Sequence, residues 1–367
     1  MTRICFVIPQ YKPATDAHYF YLYQLMASLA IAHDVFVFSE TGFRPNIPGA
    51  LGYLQKFSFL PLRLAERCLF FAYLNLSGYK KIYCHYAETS TVTAAVVYRL
   101  MGGQVYKWLC SQEDIYLKSF SLKHLPEIII RQLPLLISLR LTHHLVTCTK
   151  SMKQYYFDKF HVPKARIIVI PNFVCPERFA EAKPAKLNIT KPILLYVHWL
   201  SERKGADRLI DYARVIKQRH LNFHLLVIGG GPLLPSLKRA AARKRLNKVI
   251  TFLGPLPNQI LPAYYRLGSF LLLPSKVEEF GRVQLEAMAA GLPILATQTL
   301  ATHAVLTRFQ QELVVPQTNF LDLLDVAQDL INNKKRYHLY VTEGLKQVDN
   351  FKLDKITTIF NRRILNS

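Results

Sequence analysis

The sequence predicts an α/β protein made of two doubly wound domains, and three observations carry that prediction. Short β-rich apolar runs alternate with longer helical patterns along the whole chain. The runs fall into two sets of six. Between the sets, residues 173–191 hold Pro176 and Pro184, lead into Pro192 and show no hydrophobic period, so they read as a linker. In the first half the expected strands are residues 4–8, 35–38, 82–84, 105–109, 145–148 and 167–170. In the second they are residues 193–197, 225–228, 249–252, 270–273, 294–296 and 313–315. Domains are therefore expected over residues 1–172 and 192–345. The tail, residues 346–367, reads as helical, with Ile356, Phe360 and Ile364 at helical spacing, and could pack back on the first domain.

At 367 residues the chain exceeds one ordinary core and fits two. Half of it is apolar and only 19% is charged, which excludes a disordered protein. No uncharged apolar run reaches the roughly 20 residues of a membrane-spanning helix. The oiliest region, residues 117–146, is broken by Lys118, Lys123, Glu127, Arg131 and Arg140, and by Pro126 and Pro134. The run 4–9 is too short for a signal peptide and reads as a first buried strand. Six cysteines show no CxxC spacing, and several fall in expected core strands. They are expected as free thiols in a reducing cytoplasm. The formal charge of +23 invites a polyanionic partner, and it is concentrated: residues 51–172 carry sixteen basic against six acidic side chains.

Ligands of doubly wound sheets bind outside the carboxyl ends of the strands, which directs attention to the loops that follow them. The richest loop comes after residues 270–273. Glu278 precedes a Phe280-Gly281 turn, and a helix follows that ends at Gly291 and Pro293. The amides and dipole at the head of such a helix form an anion site. Glu286, in its first turns, can accept both hydroxyls of a ribose. Glu278 can accept hydroxyl hydrogens from a sugar and stabilise positive charge developing at its anomeric carbon. Taken singly, the acids could be ordinary solvated side chains; the order strand, acid, glycine turn, acid, helix, Gly-x-Pro is far more restrictive. Gly229-Gly230-Gly231-Pro232 follows another strand and would let backbone approach a nucleotide. Lys204, before Gly205 and a helix, could reach a phosphate.

Together these residues resemble glycosyltransferase family 4, the retaining enzymes of the GT-B fold. The likeness spans nearly the whole chain and is strongest over residues 193–293, where Glu278, seven residues and Glu286 are similar to the family's acid motif. It implies two Rossmann-like domains facing a central cleft, with the acceptor on the first and the nucleotide sugar on the second. By that resemblance Glu278 contacts the transferred sugar, Glu286 the ribose, and the backbone of Phe280 and Gly281 the sugar or diphosphate. Lys204 and Gly205 look like the family's lysine-glycine pair on the diphosphate, and Gly231 lies in a matching loop. His85 and Asp114 are candidates to orient donor sugar or acceptor.

The chain also departs from the pattern. His198-Trp199 stands where the family has Gly-Arg, leaving Arg203 and Arg282 as the nearby candidates for the missing arginine. Ser111 replaces a common histidine, Leu300-Ala301 two common glycines, and residues 12–18 a glycine-rich loop. No DxD triplet occurs, so no metal or other cofactor is expected, and Lys204 with the helix amides takes the metal's role.

Residues 56–81 set Phe57, Phe59, Leu60, Leu62, Leu64, Leu69, Phe70, Phe71 and Tyr73 among Arg63, Arg67, Lys80 and Lys81. A basic amphipathic surface of this kind can lie in an anionic membrane interface, each cation contributing about 1 kcal/mol. Core helices with snorkelling cations would give the same pattern. The expectation is a peripheral enzyme on the inner membrane face. It would move a UDP- or GDP-linked hexose to a lipid-linked glycan, in cell-envelope polysaccharide or lipopolysaccharide synthesis. Two rival classes of function fit part of the sequence. A nucleic-acid-binding protein would explain the charge, but no helix-turn-helix, RNP or zinc pattern supports it. A catalytically weak sugar-nucleotide-binding partner would explain Trp199 and the altered first loop.

Overall fold

A computed structural model describes residues 1–13, 19–112 and 132–366. They divide into two units, Met1–Pro171 with Ile356–Ser367, and Asn172–Lys355, each built on one parallel sheet.

The first unit has strands β1 (Arg3–Ile8), β2 (Asp34–Ser39), β3 (Leu51–Leu54), β4 (Lys81–His85), β5 (Gln104–Trp108), β6 (His144–Thr147) and β7 (Ile167–Val169). Their order is β3-β2-β1-β4-β5-β6-β7, all parallel. A parallel sheet is covered on both faces, so its central strands read as continuous apolar runs; five of the six β1 residues are buried. The expectation of six strands is corrected to seven. Strand β3 is a four-residue edge strand, Leu-Gly-Tyr-Leu, with no fully buried residue, so its apolar run is short and broken by Gly52. It is held instead by Tyr53, whose ring stacks on Phe70 at 4.2 Å.

Two cations of the basic middle region lie in this core. Arg67 donates to Glu40 (2.9 Å), Gln55 (2.7 Å) and Thr89 (2.7 Å), and Lys107 pairs with Glu88. Both are buried, so neither snorkels to water; each is charge-paired, as burial requires. The expectation of six free thiols is also corrected. Cys110 and Cys148, which follow the neighbouring strands β5 and β6, form a disulfide, and Cys68 is exposed. Adjacent strand ends bring the two sulfurs within reach, a proximity that sequence spacing does not reveal.

The C-terminal residues complete the first unit. Phe360 is fully buried, stacked on Phe6 at 5.9 Å and tilted against Tyr83 at 5.2 Å. Lys81 Nζ donates to the carbonyls of Ile364 (2.6 Å) and Leu365 (3.0 Å).

The second unit has strands β8 (Ile193–Val197), β9 (His224–Ile228), β10 (Ile250–Gly254), β11 (Phe270–Leu273), β12 (Ile294–Thr297) and β13 (Val314–Val315). Their order is β10-β9-β8-β11-β12-β13. The chain winds outward from β8 through β9 to β10, then returns to pair β11 on the other side of β8. The loops after β8 and β11 therefore leave neighbouring strands in opposite directions and open a crevice at the carboxyl edge. Residues 173–191 pack within this unit: Val174 bridges to Lys352, and Phe179 lies edge-on to Tyr265. Among the described residues no helix is long and apolar enough to cross a membrane.

Phe360→Ala is expected to cost about 3–5 kcal/mol by leaving a cavity against β1 and β4. Urea unfolding checks this as a lowered midpoint; an unmoved midpoint would show that the tail contributes nothing to the core.

Candidate functional site

The crevice between the β8 and β11 loops holds a compact charged cluster. After β8 the chain runs through His198 and Trp199 into a short 3-10 turn, Glu202–Lys204, and reaches Gly205. Gly205 has φ +69, and a Cβ there would lie 1.9 Å from the Pro274 carbonyl oxygen. Only glycine lets the two loops approach so closely. The Arg203 carbonyl accepts from the amides of Lys276 and Val277, both at 2.9 Å, so the β8 loop anchors the backbone just before Glu278.

Glu278 is 5% exposed. Its Oε1 accepts from Lys204 Nζ at 2.9 Å, and its Oε2 lies 2.8 Å from His198 Nε2 and 3.4 Å from Ser275 Oγ. Burial pushes its pKa up, but the Lys204 ammonium and the His198 contact outweigh burial and hold it at about 2. Glu279, also buried, binds Arg203 at 2.6 Å and sits 3.6 Å from Lys204. Arg203, proposed from the sequence as a phosphate partner, is thus engaged with Glu279. The Glu278 carbonyl accepts from the Ala301 amide at 3.0 Å, in the first turn of helix Leu300–Val305, which Thr299 and Thr302 close with a capping box.

Gly281 caps the helix Arg282–Ala289 in the left-handed region, with no side-chain cap and no acid in the first turn. The head of this helix keeps the positive end of its dipole toward the crevice loop, the arrangement that favours anions. A Cβ on Gly281 would meet Gln284 at 2.6 Å and Glu278 at 3.0 Å. Phe280 is buried edge-to-face on Phe351 at 5.8 Å, so its backbone and not its ring faces the turn. Glu286 lies deeper in the same helix, buried, accepting from the hydroxyl of buried Tyr265 at 2.6 Å. The glycine loop after β9 lies against the same segment. Leu200 N–H donates to the Gly230 carbonyl at 2.7 Å, and Gly231 packs on the Leu200 backbone.

The structure thus gathers Lys204, Gly205, Glu278, Phe280, Gly281 and the first turn at Arg282 around one crevice loop, with Gly231 beside it and Glu286 behind. His85 belongs to the first unit, at the end of β4, where its ring stacks on Trp108 at 5.6 Å with edge contacts to Tyr19 and Tyr86. Asp114 lies outside the described residues. Sequence reasoning missed the roles of His198, Glu279, Ser275 and Tyr265. The position of His198, immediately after a strand next to the topological switch, is the one signal that could have found it.

Replacing Lys204 with Met is expected to release the upward push of burial and raise the Glu278 pKa. In the wild type, folded Glu278 titrates below its ordinary value. Its stabilising contribution is therefore full above pH about 4.5 and is lost as pH falls toward 2. Carboxyl 13C titration of glutamate-labelled protein should show Glu278 ionised to below pH 4 in the wild type and titrating higher in the variant. Urea unfolding should show the stability gap between the two closing as pH falls; equal titration curves would remove Lys204 as the cause.

Comparison with known proteins gives this geometry a context. Residues 178–347 match the family model for glycosyl transferases group 1. The alpha-D-kanosaminyltransferase of Streptomyces kanamyceticus is 27% identical over 143 residues, 39% of this chain and 37% of that protein. The GDP-mannose-dependent alpha-(1-6)-phosphatidylinositol monomannoside mannosyltransferase of Mycobacterium tuberculosis is 27% identical over 205 residues, 52% of this chain and 53% of that protein. The aligned segments span about a third to a half of these relatives' own length. The Anabaena Alr3699/HepE protein, solved with UDP and glucose, superposes with a TM-score of 0.76 over 99% of both chains at 16% identity, a likeness of fold. Residues 178–347 are thus similar to the glycosyl transferases group 1, on a chain with the GT-B fold of two Rossmann-like domains.

Proposed function

We propose that the chain is a retaining, metal-independent hexosyltransferase that moves a sugar from a UDP- or GDP-linked donor to a lipid-linked glycan acceptor. The observation that carries this reading is a buried, ionised Glu278 held by Lys204 beside the uncapped head of helix Arg282–Ala289. A fixed anion next to a phosphate-attracting helix end suits the chemistry of a nucleotide sugar. As the bond to the diphosphate breaks, positive charge grows on the sugar ring and negative charge on the leaving oxygen. Glu278 stabilises the first. The helix head, Lys204 and Arg282 stabilise the second, in the role a metal ion has elsewhere, with the backbone of Gly205, Gly231, Phe280 and Gly281 lining the diphosphate. Glu286 takes the ribose hydroxyls, its carboxylate oriented by Tyr265. His85 and Asp114 orient donor sugar or acceptor from the first domain.

The lipid-linked acceptor and a peripheral position on an anionic membrane draw support from helix Leu60–Leu76. Its inner face carries Arg67, Phe71 and Leu74, while Leu62, Leu69, Tyr73 and Leu76 are each at least half exposed. The loop before it adds exposed Phe57 and Phe59 beside Lys56. An apolar solvent face flanked by cations, on a chain of net charge +23, matches the chemistry of an anionic lipid interface. The mannosyltransferase relative named for a phosphatidylinositol acceptor agrees with that choice. Cell-envelope polysaccharide or lipopolysaccharide synthesis is the setting such a reaction fits.

A hydrolysis and transfer screen over a panel of UDP- and GDP-hexoses tests the reading. Glu278→Ala is expected to lower kcat about 100-fold or more with little change in donor KM. Glu286→Ala should mainly weaken nucleotide binding. Unchanged activity in both variants would falsify the assignment; binding without any turnover would favour a sugar-nucleotide-binding partner. For the membrane, Leu69→Glu with Leu76→Glu should abolish co-sedimentation with vesicles of anionic phospholipid at low salt. Failure of the wild type to co-sediment would end that part of the proposal.

A further inference from the structure

We infer that His198 is a positioning residue, locked in one tautomer by the Trp199 backbone so that its Nε2–H holds Glu278. The inference rests on the site reading above and adds a residue that reading does not use.

Three observations carry it. First, the Trp199 amide donates to His198 Nδ1 at 2.9 Å. A nitrogen that accepts this bond carries no proton, so the ring proton of neutral His198 resides on Nε2. That nitrogen is 2.8 Å from Glu278 Oε2, so the imidazole donates to the carboxylate. Full protonation would place a second N–H against the Trp199 N–H, two donors face to face.

Second, the segment carrying the ring is pinned on both sides. The His198 amide donates to the Ile228 carbonyl at 3.1 Å, and the Leu200 amide to the Gly230 carbonyl at 2.7 Å. Gly229 has φ +139, and a Cβ on it would sit 1.9 Å from the His198 carbonyl oxygen, so the β9 loop lies directly on His198. The ring therefore inherits its place from the backbone of two strands, and neither strand end can shift alone.

Third, the acceptor capacity of Glu278 is nearly full. A carboxylate offers roughly four acceptor positions. Lys204, His198 and Ser275 occupy three of them. About one remains for a substrate hydroxyl. The chemistry left to Glu278 is that of an oriented fixed charge more than a multidentate hydroxyl binder. His198 sets that orientation from the side opposite Lys204, where a smaller residue would leave the Oε2 side held only by the 3.4 Å contact to Ser275.

Two measurements test this on the full chain. Long-range 1H–15N spectra of ring-15N-labelled protein, with His198 assigned by its loss in His198→Gln, should show the ring proton on Nε2 and an unprotonated Nδ1. A proton on Nδ1, or an imidazolium, would overturn the assignment. In steady-state kinetics with the best donor of the panel, His198→Ala should lower kcat about 100-fold while donor KM stays within about threefold, because a displaced charge costs the transition state and not binding. Gln reaches Glu278 with an amide N–H and should restore most of kcat, whereas the shorter Asn should not. A rise in KM with kcat unchanged, or Gln no better than Ala, would overturn the positioning role. The spectra need no turnover. A chain that binds no sugar nucleotide therefore overturns the proposed function, while the ring-nitrogen signals still decide the tautomer.

Discussion

A glutamate that is 5% exposed stays ionised only where partners replace the water it has lost, and the loops of the second unit are arranged around that requirement for Glu278. Lys204 reaches it because Gly205 adopts φ +69 and lets the β8 loop touch the Pro274 carbonyl. Arg203 contributes twice, its carbonyl anchoring the Lys276 and Val277 amides and its guanidinium balancing Glu279. Ala301 holds the Glu278 carbonyl from the far side. Removing one member of such a network strands a buried charge, at a cost of several kcal/mol. The cluster is close to neutral, two carboxylates against Lys204 and Arg203, so attraction for a phosphate falls largely to the helix head.

Sheet topology creates the place where this cluster can form. Because β11 returns to the opposite side of β8 from β9, the loops after β8 and β11 diverge, and side chains from both enter one crevice. The first unit repeats the device with β4 returning beside β1, and His85 stands at the end of that returning strand. Its burial of charge serves a different purpose. Arg67 with Glu40 and Lys107 with Glu88 are core pairs that tie helices to the sheet, and the helix bearing Arg67 turns an apolar face to solvent.

Much of this was legible in the sequence. Twelve of the thirteen strands among the described residues appear as apolar runs, because a parallel sheet covered on both faces demands them. The missing strand, β3, lies at an edge where that demand is relaxed. The turn at Gly281 and the helix stop at Gly291 were visible through local backbone chemistry; both glycines have positive φ. Glu278, Glu286 and Lys204 stood out by spacing and neighbours. His198 did not. It appeared only as a departure from an expected Gly-Arg, because its partner lies 80 residues away along the chain. Glu279 carries no local signal of its own, because its partner Arg203 lies 76 residues away along the chain. The Cys110–Cys148 bridge was invisible for the same reason as His198, since its sulfurs meet only when β5 and β6 pair.

Hydrophobic period, glycine turns and the distance between two acids are local properties, and the sequence by itself determined them. They sufficed for the two-sheet architecture and for the loop that carries the candidate site. The partners of Glu278 are another matter. Whether a buried carboxylate meets a lysine, an imidazole N–H or nothing depends on which strand ends are neighbours, and that pairing is stabilised by contacts spread across the whole sheet. Only the tertiary structure, by seating β11 against β8, decided that His198 and Lys204 hold one glutamate between them.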